Sequence, residues 1–159
     1  MLNILFVCMG NICRSPSAEA VMNKLIDNEE LSDKIKCDSA GTIGFHEGEP
    51  ADSRMKNHAL KRGYDLTSTA RQFRIEDFEN FDYIIVMDQN NYSDIIAQDI
   101  EEKYTDKVSL MTSYCSNHNE KEVPDPYYGG SAGFEKVLDL LEDAGKGLLK
   151  EIKKVNPQF

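Results

Sequence analysis

A chain of 159 residues with 40% hydrophobic, 9% aromatic and 29% charged residues has the composition of one ordinary globular unit, far from disordered or collagen-like extremes. Its net charge of −10 argues against nonspecific attraction to nucleic acid or to an anionic membrane surface, and no apolar run approaches the roughly 18 residues of a membrane span. With no export signal, Cys8, Cys13, Cys37 and Cys115 are expected to be thiols of a cytoplasmic protein; no C-x-x-C pair and no grouping of His46, His58 and His118 in sequence suggests a metal site.

In chain order, Leu2 to Val7 is a short apolar run ending in a turn-like segment, the pattern of a strand buried on both faces. Ala18, Val21, Met22, Leu25 and Ile26 then recur at helical spacing, with Ser15 as the expected N-cap and Pro16 at the first helical position. Ile35 to Ser39 reads as a second strand. Met55, Ala59 and Leu60 give an apolar face to a helix over 52–62, closed by Gly63. Tyr83 to Met87 is another buried strand, followed by a helix from about Asn90 to Gln98, and Lys107 to Met111 is a fourth strand. The last helix runs from about Ala132 to Val155 on a stripe of Phe134, Val137, Leu138, Leu141, Leu148 and Ile152. Gly145 and Gly147 inside it mark a kink or a close contact. No linker or repeat divides 1–159, so one domain is expected: an α/β fold with a parallel sheet covered by helices on both faces. Such sheets bind ligands beyond the carboxyl ends of their strands.

The segment there is Cys8-Met9-Gly10-Asn11-Ile12-Cys13-Arg14-Ser15-Pro16, joining strand to helix. Gly10 and Asn11 tolerate unusual backbone angles, so successive N–H groups of residues 9 to 14 can turn inward around an anion at the positive end of the helix. Cys8 at the floor of such a nest is favoured as thiolate by the helix dipole, the amides and Arg14, and its pKa is expected to fall from about 8.5 toward ~3.5–7.5. Arg14 can grip two phosphoryl oxygens with its planar fork. Asp88, at the end of a strand on the ligand side, is expected to cap a loop or to orient an arginine such as Arg54 or Arg71. Between Arg54 and Arg74 six basic residues meet one acid, Asp65; this reads as a solvated helix face, or else as a surface attracting acidic segments.

The run from Val7 to Pro16 closely resembles the active-site signature of the low-molecular-weight protein tyrosine phosphatases, and Asp125-Pro126-Tyr127-Tyr128-Gly129 resembles that family's general-acid loop. Asp38 to Thr42, Gly48 to Asp52, Ala70 to Gln72 and Tyr83 to Asp88 are similar as well, so the likeness spans essentially the whole chain. It implies a four-stranded parallel sheet and metal-independent, cofactor-free hydrolysis of phosphotyrosine or small aryl phosphates through a cysteinyl-phosphate. Cys8 is then the nucleophile, Arg14 the transition-state clamp and Asp125, stiffened by Pro124 and Pro126, the general acid and base. Met9, Gly10, Asn11, Ile12 and Cys13 form the phosphate loop, Asn11 and Ser39 match a hydrogen-bonded pair that braces it, and Ser15 matches a hydroxyl supporting the thiolate. Tyr127 and Tyr128 match the aromatic wall of the cleft; Phe45 stands where the family often has tryptophan or tyrosine. The implied partners are phosphotyrosine proteins and phosphate-like oxyanions. Cys13 is the expected redox partner of Cys8.

Three other functions fit parts of the pattern. A phosphocysteine relay protein would need neither Arg14 nor Asp125, an arsenate reductase would need two further relaying thiols that Cys37 and Cys115 do not match, and an inactive phosphate-binding module would not need the intact trio.

Overall fold

The computed structural model describes residues 1–159. Strands β1 (Leu2–Cys8), β2 (Ile35–Gly41), β3 (Tyr83–Val86) and β4 (Val108–Leu110) form one sheet in the order β2-β1-β3-β4. Every ladder is parallel, with Leu5 of β1 opposite Asp38 on one side and Ile84 on the other. A strand so placed has no solvent face, which is why Ile4 to Val7 are apolar without alternation and all 0% exposed.

The connections are α1 (Arg14–Asn28), α2 (Ser53–Lys61), α3 (Asp77–Asn80) and α4 (Gln89–Gln98), and α5 (Ser131–Val155) closes the fold. The pleat of β1 sends Ile4, Phe6 and Cys8 into a core with Val21 and Met22 of α1 and Val137 and Leu141 of α5. Leu5 and Val7 point the other way, against Phe73, Phe78 and Ile95. The expected layers are therefore present, and Cys8 is the last side chain that β1 delivers to the α1/α5 face.

The expected stripe of α5 is buried along its length. Its glycines mark a close contact in an unbroken helix: a β-carbon on Gly147 would lie 1.9 Å from the Tyr114 carbonyl oxygen. Asp52 caps α2, accepting from the N–H groups of Arg54 and Met55 at 2.9 and 3.2 Å, and Gly63 follows with φ of 85°. Helix α1 departs from expectation. It begins at Arg14, its N-cap is Cys13 with no side-chain cap, and Ser15 turns instead toward Cys8. An N-terminus left uncapped in this way keeps its N–H groups for an anion. Helix α3 has four residues, too few to leave a periodic signal.

Candidate active site

Cys8 ends β1 at 2% exposure, and the chain then doubles back over it. Asn11 takes the left-handed φ of 58°, a conformation asparagine adopts more readily than most residues, and its N–H points at Cys8 Sγ from 3.3 Å. The Ser15 hydroxyl lies 3.0 Å from the same sulfur and accepts from Asn11 Nδ2 at 2.8 Å. Asn11 Oδ1 accepts from the backbone N–H of Arg71 at 2.9 Å, and the Arg71 guanidinium pairs with Asp38 and Asp77. Gly41 at the end of β2 is needed for close approach: a β-carbon there would stand 2.7 Å from the Met9 carbonyl oxygen.

This bracing differs from the pair expected from the resemblance. Ser39 Oγ donates to Glu19 at 2.7 Å, so Asn11 is braced by Ser15 and Arg71. Burial raises the pKa of Glu19, with the Asp38 charge adding to it and the Ser39 bond opposing it.

Arg14 is 2% exposed. Its Nη1 donates to Asp88 Oδ2 at 2.6 Å and to the Val123 carbonyl at 3.1 Å, and its Nη2 lies 3.5 Å from Asp125 Oδ2. Burial works against the charge, but Cys8, Asp88 and Asp125 outweigh it and raise the arginine pKa further. Asp88 thus orients Arg14 and not Arg54 or Arg71, while also capping α4 through the Asn91 N–H. The other two arginines are held elsewhere, Arg54 by Asp52 and Arg71 by its two acids.

Above this floor is a cavity of about 210 Å³, lined by Cys8, Met9, Gly10, Ile12, Cys13 and Arg14 below and by Asp125, Phe45, His46, Tyr127 and Tyr128 around it. Phe45 and Tyr128 are more than four-fifths exposed, at 82% and 81%, and so form the lip. Asn11 and Ser15 stand behind the loop, outside the cavity lining. Asp125 accepts from the Tyr127 N–H at 3.0 Å, and Arg54 fastens this turn by donating to the Tyr127 carbonyl at 3.2 Å. Cys13 is buried; desolvation first, then the negative neighbours Asp52, Cys8 and Asp125, push its thiol pKa up. Sequence reasoning passed over Glu19 and gave His46 and Arg71 no part beside the loop, a relation that arises only from the fold.

Two other expectations resolve away from the cavity. The arginines of the basic stretch are paired, Arg62 with Glu135, Asp139 and Glu142 and Arg74 with Glu47, while Lys56 and Lys61 are exposed. One of the scattered histidines does join other ligand-type groups in space: Cys115, His118 and Asp143 bring such atoms within 4.8 Å of one another. Asp143 is already engaged there by the N–H groups of Ser116 and Asn117 at 3.0 and 2.9 Å, the Ser116 hydroxyl at 3.2 Å and His118 Nδ1 at 2.7 Å. Its role is to pin the chain to α5. Burial opposes its charge, but these bonds win and hold its carboxyl below the usual range.

A thiol that receives the Asn11 N–H, a buried guanidinium beside it and a carboxylate on the cavity wall form an arrangement suited to a phosphate ester hydrolase. The comparisons agree. The family model described as low molecular weight phosphotyrosine protein phosphatase matches residues 3–158. A chain from Synechocystis is 52% identical over 153 residues, covering 96% of this chain and 98% of that one. The mouse low molecular weight phosphotyrosine protein phosphatase is 43% identical over 150 residues, covering 94% of each. The crystal structure of a protein tyrosine phosphatase from Entamoeba histolytica with Hepes in its active site superposes with a TM-score of 0.93 at 48% identity, covering 100% of both chains. The chain belongs to the low molecular weight phosphotyrosine protein phosphatase family and is a phosphoric monoester hydrolase.

Proposed function

We propose that residues 1–159 act as one catalytic unit on phosphotyrosine proteins and small aryl phosphates, by two displacements at Cys8. The phosphoryl oxygens occupy the loop amides and the Arg14 fork. The Cys8 thiolate attacks phosphorus, the bond to the phenolic oxygen breaks, and Asp125 gives that oxygen its proton. Asp125, now a carboxylate, takes a proton from water as the water attacks the cysteinyl-phosphate. The S–P bond breaks, and inorganic phosphate leaves with the thiolate restored. Every proton and electron pair is accounted for by these groups and water, so no metal or cofactor is called upon. The Ser15 hydroxyl and the Asn11 N–H are placed to share the negative charge of the sulfur in both steps.

The single observation that carries this reading is the convergence of Cys8, Arg14 and Asp125 on one cavity, although more than a hundred residues separate Arg14 from Asp125 in sequence. A relay protein would require neither the guanidinium nor the acid there. No helix is long and apolar enough to cross a membrane, and a cytoplasmic setting, where thiols stay reduced, suits a thiolate nucleophile.

Turnover of p-nitrophenyl phosphate by the purified chain, with and without a metal chelator, tests the proposal together with Cys8→Ser. Hydrolysis is expected to be unaffected by chelation and abolished by the substitution, while phosphate still protects the variant against heat because the amides and Arg14 remain. Substantial turnover by Cys8→Ser would remove the cysteine from the mechanism.

A further inference from the structure

Away from the catalytic cavity, two exposed aliphatic side chains line one groove. Ile75, 55% exposed, and Ile100, 86% exposed, border a depression of about 470 Å³ that shares no residue with the catalytic site. Its walls come from α3 with the residues just before it and from the connection between α4 and β4. These segments lead into β3 and β4, so the groove lies toward the amino ends of the strands, while the cavity lies beyond their carboxyl ends. The floor is aromatic: Phe78 is 1% exposed and stacks on Tyr104 with centroids 5.2 Å apart and 7° between the planes. Asp99 holds the second wall in shape, its carboxylate accepting from the N–H groups of Lys103 and Tyr104 at 3.0 and 2.8 Å and from the Thr105 hydroxyl at 3.2 Å. A groove with walls fixed in this way loses little freedom when a ligand enters it.

The rim carries an excess of one charge. Glu76, Glu79 and Glu101 are exposed along it, and Lys103, the one cation among the lining residues, is matched by Glu101 at 2.7 Å. Lys107 nearby is committed to the Phe78 and Phe81 carbonyls at 2.7 and 2.9 Å. In a chain of net charge −10 such a rim repels acidic segments and a second copy of the chain, and it attracts lysine and arginine. Single exposed isoleucines are ordinary on a protein surface, whereas two on one preformed groove with a charged rim have the anatomy of an interface, apolar at the centre and polar at the edge. We propose that this groove docks a basic segment of a partner protein, which places one aliphatic side chain against Ile75 and Ile100 and its flanking lysines or arginines against Glu76, Glu79 and Glu101. Docking there leaves the catalytic cavity open.

An acetylated Lys-Arg-Leu-Arg-Lys peptide, titrated into isotope-labelled protein and followed by backbone amide NMR, tests this. Saturable shifts are expected, confined to the N–H groups of residues 75–79 and 98–104, with an affinity that falls as salt is added. Ile75→Ser combined with Ile100→Ser should weaken binding about tenfold through the lost apolar contact. Glu79→Gln combined with Glu101→Gln should weaken it about fivefold at low salt. Turnover of p-nitrophenyl phosphate should match the parent in both variants, which shows that they are folded. Replacing the peptide leucine by serine should cost the parent the same factor as the isoleucine pair and cost that variant nothing more. Neutralising two exposed acids outside the groove, Asp33→Asn with Glu151→Gln, should leave the affinity unchanged. Shifts that are absent, unsaturable or spread over the surface would overturn the proposal, as would an equal loss from the remote acids, which would reduce the effect to diffuse attraction by the net charge. Binding indifferent to the isoleucine pair would also overturn it, and so would a concentration-dependent dimer of the parent that this pair abolishes, since the occupant would then be a second copy.

Discussion

Arg14 divides its two terminal nitrogens between two carboxylates at unequal distances, 2.6 Å to Asp88 and 3.5 Å to Asp125. The tighter contact is the orienting one, so in the proposed mechanism entering phosphoryl oxygens compete for Nη2, the nitrogen near Asp125, while Nη1 stays fixed. Replacing Asp125 by Asn keeps the shape and removes the proton. The expected loss in kcat depends on the leaving group, about 10²–10⁴-fold for phosphotyrosine and much less for the activated nitrophenolate; equal losses measured for the two substrates would speak against a proton donor. Cys13 poses a second question at this scale. We expect peroxide to convert Cys8 to its sulfenic acid and Cys13 to capture it as a disulfide, though burial keeps the Cys13 thiol protonated and the capture correspondingly slow. Activity regained with dithiothreitol after peroxide should be lower in Cys13→Ser than in the parent. Cys8, Gly10, Arg14 and Asp125 were legible in the sequence because the strand end, the glycine and the helix start around the loop are local signals, and the acid has its own proline-flanked motif. The partners that brace the loop were not. Arg71 reaches Asn11 across 60 positions of sequence and does so through its backbone N–H, which no residue type announces.

At the level of elements, the sequence pattern was most informative where burial is regular, as a continuous apolar run in an inner strand or as one stripe along a helix. The four strands and the long helices followed from apolar spacing, whereas the four-residue α3 and the start of α1 did not, since the first is too short for a period and at the second Ser15 turns to Cys8 and does not cap the helix. The segment after β4 shows how a single carboxylate can replace periodic packing. Asp143 of α5 gathers Ser116, Asn117 and His118, and so fixes the stretch that leads on to Val123 and the acid loop. Asp143→Ala leaves two N–H groups without their partner and is expected to cost about 2 kcal/mol in urea unfolding at neutral pH. The sign of the pH effect follows from the depressed carboxyl. Its contribution is full above the unfolded pKa of about 3.9 and fades as the pH falls through the folded value, so the gap between parent and variant should narrow in acid. A constant gap from neutral pH down to strong acid would show that the charge of Asp143 is not what holds the segment.

For the molecule as a whole, the parallel sheet directs the carboxyl ends of its strands the same way, and the segments that follow β1, β2 and β4 build a cavity with Cys8 at the bottom. Depth is then a selector. A phosphoserine side chain is too short to bring its phosphorus to Cys8 from the lip formed by Phe45 and Tyr128, and it has no ring to lie against Tyr127. The kcat/KM for phosphotyrosine peptides should exceed that for matched phosphoserine peptides by orders of magnitude; comparable values would mean that the aromatic lip does not define the slot.

All five arginines of the chain are engaged by carboxylates, Arg14 at the cavity floor and Arg54, Arg62, Arg71 and Arg74 outside it. With a net charge of −10, the field that an approaching ligand meets at a distance is therefore negative, and the one guanidinium meant for phosphate is felt only at the cavity mouth. Encounter with an anionic phosphopeptide is then opposed until the last few ångströms. Ionic screening, which weakens association in most proteins that bind phosphate through open basic patches, is expected here to lower a barrier, so kcat/KM for a phosphopeptide should rise with moderate salt.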